Sequence, residues 1–273
     1  MKKIIPIFVL IFTNLVCYFP ASAQTIARYV ISTAGGTLSG GGYSINYNIG
    51  ETMITSLSAG SNMITQGFEQ PDDALLNSII ASLNLKAFLE GFYEDVNSMR
   101  ATIFDLGIST DPTETDTVLV NLWSPENLQQ PVYSLPAVLH TNGTASVQFP
   151  AAIRGHSYYI AVKHRNHIET WSHAPVTFIA TTGYDFSTAL NQAYDDGNMA
   201  PMKNVGETVY AFYAGDINQD GGIDGQDMNV IDNEVGFFGY NVSDVNGDGG
   251  TDGQDMNFVD NNSQLGLFFA RPY

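Results

Sequence analysis

Cysteine is almost absent. The 273 residues hold one, Cys17, and it stands in an N-terminal apolar run, so disulfide and thiol chemistry are excluded from the rest of the chain. Basic residues are scarce too: 10 Lys and Arg face 28 Asp and Glu, a net charge of −18. That balance excludes nucleic acid and anionic membrane as partners, because both repel an acidic surface. Long apolar runs are missing except at residues 4–19, which is short of the roughly 20 residues of a membrane span. The sequence has no HExxH, no GxSxG, no P-loop and no GxGxxG opening a helix. The glycine-rich run at 35–42 sits between strand-like segments and reads as a flexible turn.

What the first residues do contain is Lys2 and Lys3, the apolar run, and then Ala21-Ser22-Ala23. A charged start, a short apolar region and small residues at a cut describe a secretory signal peptide over residues 1–23. Val16 before Cys17 does not suit a lipid-attachment site. Cleavage after Ala23 leaves 8 basic against 28 acidic residues, a net charge of −20. The expected localisation is secreted: periplasm, cell surface or extracellular medium.

The rest of the chain divides by composition. Residues 24–72 are rich in Gly, Ser and Thr with short alternating segments, which predict a small β segment. Pro71-Asp72-Asp73 marks a boundary. Residues 73–214 then predict an antiparallel β-sandwich. Segment 74–82 reads as a helical linker or as the start of a strand. Strands are expected near 83–89, 117–123, 137–140, 145–149, 158–163 and 176–178, and 208–213 closes the module. Asn142-Gly143 is the strongest hairpin signal, and Ser187 is placed to cap a short helix over 187–194.

Residues 215–273 carry 11 acids and one base, and inside them the chain repeats itself. DINQDGGIDGQD at 216–227 returns as DVNGDGGTDGQD at 244–255. Each copy offers oxygen side chains at positions 1, 3, 5, 9 and 12, a glycine at 6 and a carbonyl at 7, which is the ligand order of a calcium loop. The expected ligands are Asp216, Asn218, Asp220, Asp224 and Asp227 with the Gly222 carbonyl. In the second copy they are Asp244, Asn246, Asp248, Asp252 and Asp255 with the Gly250 carbonyl. Gly221 and Gly249 hold the turns. Stacked carboxylates of this density repel one another without a cation.

Two features separate these loops from the usual EF-hand. Position 12 is Asp, not Glu, and the approaching segment at 208–213 looks like a strand rather than a helix. An aspartate-terminated loop followed by one short helix, in two copies, resembles the type I dockerin repeat. That resemblance covers 215–262 and implies two Ca²⁺ ions in a small α module. In dockerins, loop positions 10 and 11 help to choose a cohesin partner; here they are Gly225, Gln226, Gly253 and Gln254, not a familiar cohesin code. The phrases LNLKAFLEGFY, HTNGTASVQFP, YYIAVKHRNHIETWS and TVYAFYAGDINQDGGID resemble a module of secreted Bacteroidetes proteins that stands ahead of a dockerin-like repeat. The resemblance implies architecture, and a place at the cell surface or in polysaccharide catabolism.

Other chemistry is thin. All five histidines fall between His140 and His173. His164 and His167 on a strand point to opposite faces, so they converge only through a turn; the structural expectation is that Arg165, Asn166 and His167 hydrogen-bond a loop at the strand end. Glu90, Glu94, Asp95, Glu126 and Glu169 cannot be paired from spacing alone into a glycosidase site. Trp123, Trp171, Tyr158 and Tyr159 are either core or an exposed sugar platform. The sequence therefore predicts an exported, non-catalytic, calcium-binding structural or interaction protein whose partner is an unknown protein, cohesin-like by resemblance. The alternative is a carbohydrate-binding or polysaccharide-degradation accessory protein that uses the sandwich, with a glycan as partner.

Overall fold

The computed structural model describes residues 34–40, 43–49, 57–59, 62–64 and 79–273. The signal-peptide reading, Cys17 and the 71–73 boundary lie outside the described residues. The chain divides into two compact units, 1–71 and 72–273. In the first, β1 (Ala34–Gly40) pairs with β2 (Tyr43–Ile49), and β3 (Leu57–Ala59) with β4 (Asn62–Ile64), both antiparallel.

The second unit is mainly β. Its strands alternate because one face must be dry: β10 (Thr144–Pro150) reads exposed, buried, exposed along its length, the period-2 signature of a half-buried strand. Two sheets supply the main core. One has the order β10–β5–β14, with β5 at Ile80–Lys86 and β14 at Thr181–Asp185. The other runs β12–β11–β8–β9, with β8 at Glu114–Trp123, β9 at Tyr133–His140, β11 at Ser157–His164 and β12 at His167–Trp171; β13 (Val176–Thr177) also pairs with β11. Leu83, Leu85, Val147 and Phe149 from the first sheet share one buried cluster with Val118, Val120, Leu122, Leu139, Ile160 and Val162 from the second.

Three expectations are corrected. The sheets are not wholly antiparallel, because β14 pairs with β5 in parallel. Asn142-Gly143 does not close a hydrogen-bonded hairpin: it carries the chain from β9 in one sheet to β10 in the other. Gly143 takes φ +81° there, and a Cβ would lie 2.9 Å from the Phe88 ring, so the turn is held by close packing as well as by the backbone bonds from Gly143 N–H to the His140 carbonyl and from Ala87 N–H to the Gly143 carbonyl. Ser187 caps no helix. Its hydroxyl bonds Asp185, and only a 3₁₀ turn at Leu190–Gln192 follows.

The approaching segment is shorter than expected. Of 208–213 only β16 (Tyr210–Ala211) is a strand, paired with β15 (Lys203–Asn204). Phe212 then exchanges backbone hydrogen bonds with Phe88 and Glu90, which delivers the chain to the doubled loops. β6 (Tyr93–Asp95), β7 (Ser98–Met99) and a one-turn helix α1 (Thr102–Asp105) lie between β5 and β8. After each doubled loop comes a helix, α2 (Gly225–Glu234) and α3 (Gly253–Ser263). A second, smaller core of Ile168, Tyr213, Ala214, Ile217, Ile223, Ile231, Val245, Val259 and Leu267 lies beneath them.

Candidate metal centre

The two loops fold alike because their hydrogen-bonding residues recur. Asp227 Oδ1 accepts the N–H groups of Ile217 (2.8 Å) and Asn218 (3.1 Å), and Oδ2 accepts that of Asp224 (2.9 Å). Asp255 does the same for Val245 (2.7 Å), Asn246 (3.0 Å) and Asp252 (2.8 Å). The last aspartate thus ties the loop shut by bonding its second, third and ninth residues. Asp224 and Asp252 accept the N–H of Gln226 and Gln254 and form capping boxes with Asp227 and Asp255, which start both helices. Between them Asn218 and Asp220, and likewise Asn246 and Asp248, make successive side-chain turns that end at the N–H of Gly222 and Gly250. Gly221 and Gly249 adopt φ +92° and +86°, where a side chain is strained.

The electrostatics are unfavourable without a cation. Asp216, Asp227, Asp244 and Asp255 are buried. Burial, with Asp227 and Asp220 nearby, pushes the Asp216 carboxyl up to about 7. Burial pushes Asp244 up to about 6, against the pull of Arg165. Asp227 and Asp255 are raised for the same first reason, burial. A buried carboxylate is costly unless a positive partner is close. Among the described residues no group of three or more His, Cys, Asp or Glu side chains is arranged to hold a metal ion. The loop carboxylates instead bond backbone N–H groups, and the other expected donors are Asn side chains and glycine carbonyls. An all-oxygen set of this kind fits a hard cation.

The two loops differ in what surrounds them. The chain's tail closes the first: Ile223 N–H bonds the Leu267 carbonyl (3.1 Å), and Phe269 N–H bonds the Gly221 carbonyl (2.8 Å). The two-sheet region closes the second. Thr102 Oγ1 donates to the Gly247 carbonyl (3.0 Å). Gly91 passes so near that a Cβ would lie 2.1 Å from the Val245 carbonyl oxygen. Asn166 Nδ2 donates to the Val242 (3.0 Å) and Asp244 (2.8 Å) carbonyls, and Arg165 to those of Asn241 and Asp244. The expectation that this turn bonds a loop is met, and the loop is the one that begins the second repeat. Glu90 does similar work at α3: its Oε2 accepts Asn262 Nδ2 (2.6 Å) and Ala214 N–H (3.0 Å), and Lys203 lies 3.2 Å from Oε1.

Behind Arg165 is a buried polar chain. The β11–β12 turn brings His164 and His167 together, Nδ1 to Nδ1 at 3.0 Å. Gly91 N–H donates to His167 Nε2 (3.3 Å), so the His167 proton is on Nδ1, beside Asn166 Oδ1 (2.8 Å). His164 Nε2 faces Asp116 Oδ2 at 3.1 Å, and Asp116 also takes Arg165 Nε (3.0 Å) and Tyr240 OH (2.6 Å). Burial lowers both histidines and keeps them neutral. Burial works against the Asp116 anion, but His164, Arg165 and Tyr240 outweigh it and hold the carboxyl well below the usual carboxylate range.

The remaining candidates do not gather. Glu94 pairs with Arg100, Asp95 bonds Val96 N–H, Glu126 is exposed, and Glu169 accepts Trp171 Nε1–H (2.6 Å). Trp171 is buried, with the Trp123 ring tilted against it at 4.9 Å and Tyr159 at 6.2 Å, while Tyr158 packs on Phe178. These aromatics are packed together rather than laid out as a platform. A cavity of about 340 Å³ does open beside them, lined by Glu169, Tyr194, Tyr213, Asn198 and Phe268 among others. No described helix is long and apolar enough to cross a membrane. No family model matches the chain, and no curated protein sequence matches it.

Proposed function

We propose that this chain is an exported, non-catalytic calcium-binding protein in which each doubled loop takes one Ca²⁺, and that the dockerin-like pair so formed serves structure or interaction rather than catalysis. The observation that carries the reading is the repeated frame: the same carboxylate-to-amide bonds recur in both loops around buried aspartates whose carboxyls burial pushes up. Asp216, Asn218, Asp220, Asp224, Asp227 and the Gly222 carbonyl would hold one ion, and their counterparts from Asp244 to Asp255, with the Gly250 carbonyl, the other. The ion supplies positive charge at a site the chain has loaded with negative charge, so binding free energy adds to folding free energy. Calorimetric titration of the mature chain should give two Ca²⁺ per molecule. Asp216→Ala together with Asp244→Ala should abolish uptake; unchanged uptake in that variant, or none by the parent at millimolar Ca²⁺, overturns the reading. The protein partner, cohesin-like or otherwise, would be sought by pull-down with and without chelator.

The cavity beside Glu169 and Tyr194 favours a second reading, a carbohydrate-binding accessory role. A glycan array with Tyr194→Ala as control tests it; absence of glycan retention removes it and leaves the first.

A further inference from the structure

We infer that Asn166, with Arg165 beside it, is a positioning residue for the second calcium loop alone, so that the two loops bind calcium unequally and the second binds tighter. This rests on the calcium reading above. The two loop sequences invite the opposite expectation, since their ligand positions are identical in type.

The difference begins at the first ligand of each loop. The Asp216 carbonyl is met from inside its own loop, by Gln219 Nε2 at 2.6 Å. Gln219 is a long side chain, partly exposed, on a residue at φ +61°. The Asp244 carbonyl is met from outside, by Asn166 Nδ2 at 2.8 Å and Arg165 Nη1 at 3.2 Å. Those donors are themselves held. Asn166 is fully buried with its Oδ1 beside His167, and Arg165 Nε bonds an Asp116 that also takes Tyr240 OH. Gln219 has no counterpart in the second loop because Gly247 stands there at φ +69°, and a Cβ would fall 2.3 Å from Thr102 Oγ1. The two-sheet region occupies the space that the first loop fills with its own side chain.

A loop held in its bound shape before the ion arrives spends less binding free energy on ordering, and groups that orient metal ligands typically change metal affinity 10–100-fold. Arg165 acts in two directions, since its Nη2 is also 4.0 Å from Asp244 Oδ2 and its charge opposes an incoming cation. Asn166 is neutral and isolates the positioning effect. Its own carbonyl accepts Gly215 N–H, just ahead of the first loop (2.8 Å), and that backbone bond survives a side-chain change.

The test uses the mature chain in two backgrounds, Asp220→Ala, where only the second loop titrates, and Asp248→Ala, where only the first does. Asn166→Ala should weaken calcium uptake about 10–100-fold in the first background and leave it within about twofold in the second. Equal weakening in both, or none in either, overturns the proposal. No uptake by the parent chain overturns the calcium reading instead. Hydrogen exchange on the parent chain in calcium-free buffer needs no variant: the Val245 and Asn246 amides should exchange at least tenfold more slowly than Ile217 and Asn218. Equal exchange overturns the proposal even if Asn166→Ala fails to fold.

Discussion

The two-sheet region and the doubled-loop region hold themselves together by different means. The first buries a large apolar cluster with Phe88, Phe92, Phe149, Phe178, Phe186 and Phe212 in it, Phe149 edge to face with Phe178 and Phe186 with Phe212. The second has a small core of aliphatic residues with one tyrosine, and around it a frame in which carboxylates bond amides. A core of the first kind works at any ion concentration, because its driving force is apolar surface removed from water. A frame of the second kind carries 11 acids against one base, and self-repulsion opposes its closure until a cation is present. The regions are nonetheless not separable modules. The second core includes Ile168 from β12, and the second loop is roofed by residues 91, 102, 165 and 166.

Core truncation gives the largest way to break this comparison. Phe149 is buried within that cluster, with the Tyr133 and Phe178 rings at 5.9 and 6.1 Å. Phe149→Ala should cost about 3–5 kcal/mol, and the loss should be the same in calcium and in calcium-free buffer. Asp255→Ala should behave otherwise. It strips three N–H groups of their acceptor and should remove the second loop's share of the calcium-dependent stability, leaving only the share of the first loop, which Asp227 ties. Denaturant titrations of both variants in both buffers check this. A calcium-dependent penalty for Phe149→Ala would mean that the ion holds the sheets together as well.

The loop frame was readable in sequence because its rules are local. Asp224 and Asp227 stand three residues apart, as a capping box demands, and the glycines sit where φ is positive. What supports the frame was not readable. Arg165 and Asn166 reach Asn241 and Asp244 across more than seventy residues, and no local spacing encodes such a contact. The HRNH run signalled only that a polar turn needed partners. Strand existence was legible at β8, β10 and β11 from alternation, while the parallel pairing of β14 with β5 was not, because alternation does not set direction. Trp171 likewise carries no mark in sequence that tells an inward ring from an outward one.

A smaller effect, and one whose sign separates the regions, is the response to pH. Without calcium, Asp216 and Asp244 have folded values of about 7 and about 6 against 3.8 unfolded. The folded chain therefore binds more protons, and their contribution is present at low pH and lost as pH rises from about 4 through 7. His164 and His167 are lowered from 6.5 by burial, so their contribution is present above 6.5 and lost as pH falls below it. Asp116, lowered from 3.8, matters only below that value. Calcium bound as proposed would keep the loop aspartates ionised and remove the first trend. Thermal midpoints between pH 5 and 7 should fall with rising pH in calcium-free buffer and rise in millimolar calcium. A rising slope in both buffers would show that the buried histidines, not the loops, dominate, and a falling slope in both that the loop aspartates titrate even with calcium present.

The smallest effect is expected at the outer edge of the loop region. Phe238 and Phe268 are 87% and 71% exposed, and each makes a single bridge to the seventh loop residue, Phe238 to Gly250 and Phe268 to Gly222. Their backbones pair with the loops, while their rings bury little. Phe238→Ser and Phe268→Ser should therefore each change stability by less than about 0.5 kcal/mol, since the bridge belongs to the main chain and survives. The two need not be equal. The Phe268 ring lies close enough to Gly222 that a Cβ there would meet it at 2.8 Å, whereas the Phe238 ring stands 3.6 Å from the same point on Gly250. If ring contact matters to the first loop, Phe268→Ser should lower its calcium affinity measurably in the Asp248→Ala background, and Phe238→Ser should leave the second loop unchanged in the Asp220→Ala background. Equal, null results would assign the closing of both loops to backbone bonds alone.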